Sequence, residues 1–157
     1  MADERYILVI ADNSSEMKIA LEYACARSKK TGRKIIIATF VEPIDVLTTQ
    51  GVSEIMKNEA REEAEKRLKE AASFVKNKIG ELPALSLREG ETIAELKKLI
   101  DEEKNINVLV LAAKNDDKSK DPGPIITSLV SNEITNLRVP IMIVPGNFSE
   151  EHISHIT

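Results

Sequence analysis

The residues with the clearest capacity for chemistry are two histidines and one cysteine. His152 and His155 stand three positions apart, so a helix would place both imidazoles on one face, where they could bind a metal or exchange protons. The glutamate arrangement that accompanies such a pair in metalloproteases is missing, and we expect a solvated tail. Cys25 lies in an amphipathic stretch, and we expect a small apolar packing residue rather than a nucleophile.

No other set of side chains has the spacing of a catalytic centre. The sequence shows no serine, histidine and acid combination for acyl transfer, and no evident pair of carboxylates for general acid–base catalysis. We therefore predict a binding or signalling module that is not an enzyme. The remaining polar candidates directly follow apolar runs, so their arrangement depends on the elements that precede them.

Five segments indicate strands: four are short apolar runs typical of strands buried on both faces of a sheet, and the third in chain order, residues 84–88, is a weaker signal. A polar or glycine-containing segment ends each of the first four, and apolar residues at helical spacing follow it. The predicted strands cover residues 6–11, 34–41, 84–88, 108–112 and 140–144, and the predicted helices cover residues 17–31, 54–78, 93–100 and 124–134.

Strands that alternate with helices require crossover connections, which make the strands parallel. We therefore predict an α/β fold, a doubly wound three-layer sandwich with a five-stranded, mainly parallel sheet. The 157 residues fit one domain, with no internal repeat. We assign it residues 1–146, expect the regular structure to end at Pro145 and Gly146, and treat residues 147–157 as a C-terminal tail, either an arm or disordered.

The composition disfavours several classes of partner. The 22 basic and 26 acidic residues are spread along the chain and give a net charge of −4, so we expect neither nucleic acid nor a membrane as a partner. Aromatic residues make up only 3% of the chain, which leaves little material for stacking on bases. The sequence has no signal-peptide pattern and a single cysteine, so we expect a cytoplasmic protein.

Ligands of an open parallel sheet bind beyond the carboxyl ends of the strands, where the strand order reverses. Four segments are predicted to meet at that edge, namely residues 12–15, 41–43, 88–90 and 112–123. We expect any ligand site of the fold to lie among them. The irregular segment between Ile44 and Ser53 could cover this site or contact a partner.

Seven short pieces of the sequence, taken in their order and spacing, resemble the universal stress protein family. They are residues 7–14, 21–24, 40–43, 88–90, 108–111, 131–134 and 139–144. The resemblance implies a sandwich like that of the adenine nucleotide alpha hydrolases. It also implies a stress-response protein that acts through binding, commonly as a homodimer.

One branch of that family binds ATP through the pattern Gly-x2-Gly-x9-Gly-Ser/Thr after the fourth strand, where bare backbone amides cradle phosphates. Here Ala112 and Asn115 stand at the first two glycine positions, and Thr127 and Ser128 stand at the final pair after a loop two residues longer. Side chains at these positions restrict positive φ and hold a phosphate away from the backbone. Together with the resemblance, this predicts that ATP binding is lost or altered and that no cofactor is bound.

The alternative is an ATP-binding switch with a rebuilt phosphate loop and at most slow hydrolysis. Asp12 matches the family's aspartate near the adenine and Val41 matches a residue that lines the base pocket, but a turn carboxylate and a core residue are competing interpretations. A third hypothesis is an unrelated nucleotide-binding domain. The candidate nucleotide pocket comprises Asp12, Val41, Gly90, Ala112, Asn115, Gly123, Thr127 and Ser128.

The last predicted strand is apolar, and in this family it often pairs with its own copy across a two-fold axis. An exposed apolar edge strand is liable to pair with another chain. We therefore predict a homodimer through the segment between Val139 and Val144, and protein partners that the sequence does not identify.

Overall fold

The structure, a computed structural model, describes residues 4–43, 50–114 and 120–157. Its strands are β1 (Tyr6–Ile10), β2 (Lys34–Val41), β3 (Ala84–Glu89), β4 (Ile106–Ala113) and β5 (Ile141–Pro145). They form one sheet in the order β3-β2-β1-β4-β5, and every neighbouring pair is parallel. The predicted doubly wound sheet is therefore confirmed, with β3 and β5 at its two edges.

The helices are α1 (Met17–Thr31), α2 (Gln50–Ile79), α3 (Thr92–Glu102), α4 (Pro124–Ser128) and α5 (Glu150–Ile156). α4 continues without a break into a π-helical turn (Leu129–Glu133) and a 3₁₀ turn (Ile134–Asn136). The fourth predicted helix is thus one helical stretch with three hydrogen-bonding patterns. Pro124 begins it, at a position where the missing N–H of proline costs nothing.

Alternating side chains of the strands build two hydrophobic cores, one on each face of the sheet. From β1, Ile7 and Val9 pack with α1 and α2, while Leu8 and Ile10 pack with α3 and α4. All four side chains are at most 5% exposed. A strand covered on both faces has no polar side, which explains the continuous apolar run.

The sheet-facing stripe of α2 agrees with the sequence over most of the helix. Ala64, Leu68, Ala71 and Val75 are buried at intervals of three or four residues, as predicted. Met56, whose spacing in the sequence continues the same stripe and predicts burial, is instead 38% exposed. Met56 is exposed because α2 extends past the end of the sheet. An ion pair from Arg61 to Glu89 brings the turn that contains Arg61 level with the end of β3, so the preceding turns of α2 lie beyond the strands.

Arg138 fixes the approach to β5 by binding the end of α3. Its Nη2 atom donates hydrogen bonds to the carbonyl oxygens of Ile100, Glu103 and Ile106, at 2.5, 3.0 and 3.1 Å. The last carbonyls of a helix have no partner within the helix, so this guanidinium satisfies groups that would otherwise need water. The contact places the chain to enter β5 beside β4.

The C-terminal segment folds, so the expectation that regular structure ends at Pro145 and Gly146 is wrong. α5 begins at a cap, where the Ser149 hydroxyl accepts a hydrogen bond from the His152 N–H at 3.1 Å. The side chain of Ile153 is 1% exposed, and α5 contacts α1.

An ion-pair network reinforces the docking of α5. The Lys78 ammonium of α2 lies 2.5 Å from a Glu150 oxygen and 3.3 Å from a Glu22 oxygen, which connects α2, α5 and α1. The pattern of two isoleucines, Ile153 and Ile156, among polar residues was too weak to predict this helix. The stability of α5 comes from its contacts with α1 and α2 and not from its own sequence.

We predict that Ile153→Ala destabilises the whole domain. Truncation of a buried isoleucine leaves a cavity, and we expect the free energy of unfolding to fall by about 2–5 kcal/mol in urea titrations. Ile156→Ala is the matched control, because Ile156 is 49% exposed on the same helix and should change the value by less than about 0.5 kcal/mol. Equal effects of the two changes would mean that α5 does not pack as described.

Candidate functional site

The loops after β1 and β4 lie side by side, because these two strands are neighbours in the sheet. α1 follows β1 on one face of the sheet, and α4 follows β4 on the other. The strand order therefore reverses between β1 and β4. In open parallel sheets ligands bind at such a reversal, and this is the edge at which the sequence predicts a ligand site.

Asp12 forms a turn at the end of β1. Its Oδ1 atom accepts hydrogen bonds from the Ser14 N–H at 2.9 Å and from the Ser14 hydroxyl at 2.5 Å. An aspartate that binds the backbone two residues later is the usual Asx turn. This geometry corresponds to the turn interpretation of Asp12, and it leaves the second carboxylate oxygen without a hydrogen bond among the described residues.

Asp121 occupies the donors at the start of α4. Its Oδ1 atom accepts hydrogen bonds from the Gly123 N–H at 3.0 Å and from the Thr127 hydroxyl at 3.2 Å. The Gly123 amide and, through a second hydrogen bond, the Thr127 hydroxyl hold the pKa of Asp121 below its ordinary value. Gly123 and Thr127, two of the predicted pocket residues, are therefore brought together, but around the carboxylate of Asp121.

The shape of this loop depends on Gly123 and on one backbone hydrogen bond. Gly123 has φ of 115°, a conformation that L side chains rarely adopt. The Lys114 N–H donates to the Pro122 carbonyl at 2.9 Å, which closes the loop after β4. The Gly123 amide is thereby aimed at Asp121, in the way a phosphate-binding amide would be aimed at its ligand.

The other described candidates of the predicted phosphate loop, Ala112 and Ser128, contribute no side-chain hydrogen bond. The Ala112 methyl is half-buried in the core between the sheet and α1. Ser128 is half-buried and makes no side-chain hydrogen bond within the part of the chain that the structure describes. Asn115 lies outside the described residues, as do 44–49 of the segment between Ile44 and Ser53.

Val41 and Gly90 are joined where β2 and β3 end. The Gly90 N–H donates to the Val41 carbonyl at 2.9 Å, and Glu42 accepts a hydrogen bond from the Thr92 hydroxyl at 2.9 Å. A Cβ on Gly90, whose φ is 145°, would lie 2.7 Å from Cγ of Glu95. Val41 is half-buried, so the structure fixes these two loops to each other without choosing between core and pocket roles for it.

Two polar residues near this edge, Asp121 and Arg67, were not among the candidates predicted from the sequence. Asp121 lies in the predicted edge segment 112–123 and was given no role of its own, although an aspartate two residues before a glycine is a turn signal. Arg67 follows Ala64 by three positions and precedes Ala71 by four, so it lies on the buried stripe of α2. A charged residue on an apolar stripe was the signal that could have identified it.

The histidines and the cysteine do not form a reactive site. His152 and His155 are exposed on α5, and the His152 ring packs edge-on against Phe148 with centroids 4.5 Å apart. Cys25 is 2% exposed, and burial, followed by the charge of Glu22, raises the pKa of its thiol to about 12. Within residues 4–43, 50–114 and 120–157, no three His, Cys, Asp or Glu side chains converge as metal ligands would.

Comparison with protein families gives one match over most of the chain. The family model described as the universal stress protein family matches residues 5–145. Comparison with curated proteins gives no match. None of the helices in the described ranges is long and apolar enough to cross a membrane.

Solved structures share the fold at low sequence identity. Universal stress protein UspA from Lactobacillus plantarum superposes with a TM-score of 0.74 at 14% identity, over 92% of this chain and 99% of that one. A universal stress protein solved in complex with cAMP gives 0.63 at 20% identity, over 93% and 100%. A universal stress protein from Archaeoglobus fulgidus in complex with dAMP gives 0.57 at 14% identity, over 91% and 99%.

We predict that Cys25 does not react with thiol reagents in the native protein. The thiolate is the reactive form, and a pKa of about 12 leaves almost none of it at pH 8. With an excess of Ellman's reagent at pH 8, the folded protein should release no thiolate colour, while the protein in urea should release one equivalent. Rapid stoichiometric labelling of the folded protein would contradict both the burial of Cys25 and its raised pKa.

Proposed function

The chain belongs to the universal stress protein family, and from that premise we propose that it is a binding and signalling module of the cellular stress response that does not bind ATP in the usual way. It acts through contacts with other proteins, in the cytoplasm, and has no catalytic role. The family match removes the third hypothesis, an unrelated nucleotide-binding domain.

The observation that carries this proposal is the carboxylate of Asp121 at the start of α4. The Gly123 amide and the Thr127 hydroxyl are the donors from which a phosphate contact would be rebuilt, and both bind Asp121. A nucleotide phosphate would have to displace this carboxylate or share donors with it. Two anions at hydrogen-bond distance from the same donors repel each other, and the pairing lowers the affinity for any further anion.

The replaced glycine at Ala112 supports the same conclusion. Its methyl group packs into the core between the sheet and α1, so the backbone at this point cannot be approached as closely as at a glycine. Phosphates can approach the backbone amides of glycine-rich loops because glycine has no side chain. The carboxylate and the methyl group act together against a phosphate after β4.

An ATP-binding switch remains the second candidate, and one observation favours it. Asp121 is exposed, so its side chain can rotate into solvent and release the Gly123 amide and the Thr127 hydroxyl. The family includes proteins solved with cAMP and with dAMP. In this version the loop after β4 would bind the phosphates only when Asp121 has moved away.

Calorimetric titration with ATP and magnesium separates the two candidates. We expect no saturable binding up to about 1 mM ATP, and the Archaeoglobus fulgidus relative titrated with dAMP is the positive control. Binding at micromolar ATP would overturn the proposal in favour of the switch.

The variants Asp121→Ala and Asp121→Asn test the role of the carboxylate. We expect Asp121→Ala to gain measurable binding of ATP, because it frees both donors and removes a negative charge. Asp121→Asn keeps an acceptor for the two donors without the charge and should gain less. If neither variant differs from the parent, Asp121 is not what excludes the phosphate.

We further propose a homodimer through β5. This strand is an edge of the sheet, and it carries exposed apolar side chains in Met142 (43%) and Ile143 (39%). Val130 and Ile134, in the helical stretch that precedes it, are each 46% exposed. Pairing with a second copy would satisfy the free backbone groups of the edge and cover these side chains.

Light scattering at micromolar concentration tests this dimer. We expect Ile143→Lys to convert the dimer to a monomer, because an ammonium group would have to be buried at the interface. Leu85→Lys is the matched control, since Leu85 is a similarly exposed side chain (46%) on β3, at the opposite edge of the sheet. A parent protein that is monomeric, or a dimer lost only with Leu85→Lys, would contradict pairing through β5.

A further inference from the structure

Two polar side chains meet inside the apolar layer between α2 and the sheet. Thr39 of β2 is 1% exposed, and its hydroxyl donates to the Ala11 carbonyl at 2.8 Å. Arg67 of α2 donates from Nη2 to the same hydroxyl oxygen at 3.3 Å. Because the only proton of this hydroxyl goes to Ala11, its lone pairs face the guanidinium and hold it in place.

Within the described residues, no carboxylate lies at ion-pair distance from the guanidinium of Arg67. Its Nε atom is buried without a hydrogen-bond partner, and the whole guanidinium makes the single bond to Thr39 among the described residues. Two other arginines of the chain are paired with carboxylates. Arg61 pairs with Glu65 and Glu89, and Arg88 pairs with Glu95 and Glu102.

An uncompensated guanidinium beside an apolar core is unfavourable, because burial removes hydration that only hydrogen bonds and an opposite charge can replace. A hydroxyl acceptor supplies one weak bond and no charge. A bound oxyanion would supply both, through the planar set of N–H donors that arginine offers to carboxylates and phosphates. The side chain of Arg67 is only half-buried, so a small anion can reach it.

The place of this guanidinium in the fold also points to a ligand. Ala11 directly precedes Asp12, and Thr39 lies two residues before Val41 on the same side of β2. The guanidinium therefore lies near the carboxyl ends of β1 and β2, on the face covered by α1 and α2. The donors at the start of α4 lie on the opposite face, so the two positions are separate.

We infer that Arg67, positioned by Thr39, is an anion-binding residue. It binds a carboxylate or phosphate group of a small ligand near the carboxyl ends of β1 and β2. This site does not depend on whether the loop after β4 binds ATP. Arg67 thus supplies a positive charge at an edge of the sheet where Asp12, Glu91 and Asp121 supply carboxylates.

Anion titrations followed by thermal unfolding test the inference. The probes are inorganic phosphate and acetate, each compared with chloride at equal ionic strength, and the two probes show which oxyanion the site prefers. We expect saturable stabilisation of the parent protein by at least one of them. Arg67→Met should weaken the apparent affinity by about tenfold or more, as expected when a charged hydrogen-bond donor is lost.

Matched variants locate the response. Arg61→Met removes an exposed arginine of the same helix and should change the affinity by less than about twofold. Thr39→Val should weaken anion binding although the charge of Arg67 remains. Thr39→Ser, which keeps the hydroxyl, should bind the anion as the parent does. Arg67→Lys, which keeps the charge in the event that methionine impairs folding, should bind more weakly than the parent because it lacks the planar donor set.

Four results would overturn the inference: no response of the parent beyond that to chloride, an undiminished response in Arg67→Met, equal losses in Arg67→Met and Arg61→Met, or an unchanged response in Thr39→Val. Asp121→Ala frees donors at the start of α4 and can add a phosphate response there, so the test is made in that background too: Arg67→Met should remove the same part of the response from Asp121→Ala as it removes from the parent. A response altered by Asp121→Ala but not by Arg67→Met would assign the anion to the start of α4, which concerns the proposed function and not this site.

Discussion

The burial of β1 on both faces is the constraint on which the rest of the structure depends. β1 lies between β2 and β4, and its side chains from Ile7 to Ile10 are at most 5% exposed. A central strand of this kind needs helices on both sides, and right-handed crossovers then place α1 and α2 on one face and α3 and α4 on the other. The reversal of strand order between β1 and β4 is a consequence of that arrangement, whatever the loops after these strands contain.

This dependence explains which parts of the fold could be predicted from the sequence. The strands and long helices follow from local patterns, because residues such as Leu8 and Val9 must be apolar wherever the two faces of a strand are covered. α5 could not be predicted in this way. It is held by one side chain, Ile153, and by a lysine on α2, so its stability lies in contacts between segments far apart in sequence.

The candidate site was predictable in position but not in its contacts. The carboxyl edge followed from the order of strands and helices, and the structure places Asp12, Val41, Gly90 and Gly123 there. What each residue binds depends on distances that no spacing in the sequence gives. Thr39 and Arg67 are 28 positions apart, and neither is unusual until the sheet and α2 bring them together.

At this edge, carboxylates of the chain already occupy the backbone donors that an anionic ligand would use. Asp12 binds the amide of Ser14, Glu91 binds those of Ile93 and Ala94, and Asp121 binds that of Gly123. Each loop is thereby stabilised locally, but a phosphate would meet satisfied donors and negative charge. Arg67 is different because a hydroxyl fixes its charge and no carboxylate among the described residues pairs with it, which is why we place an anion on the α2 side of the sheet and not at the start of α4.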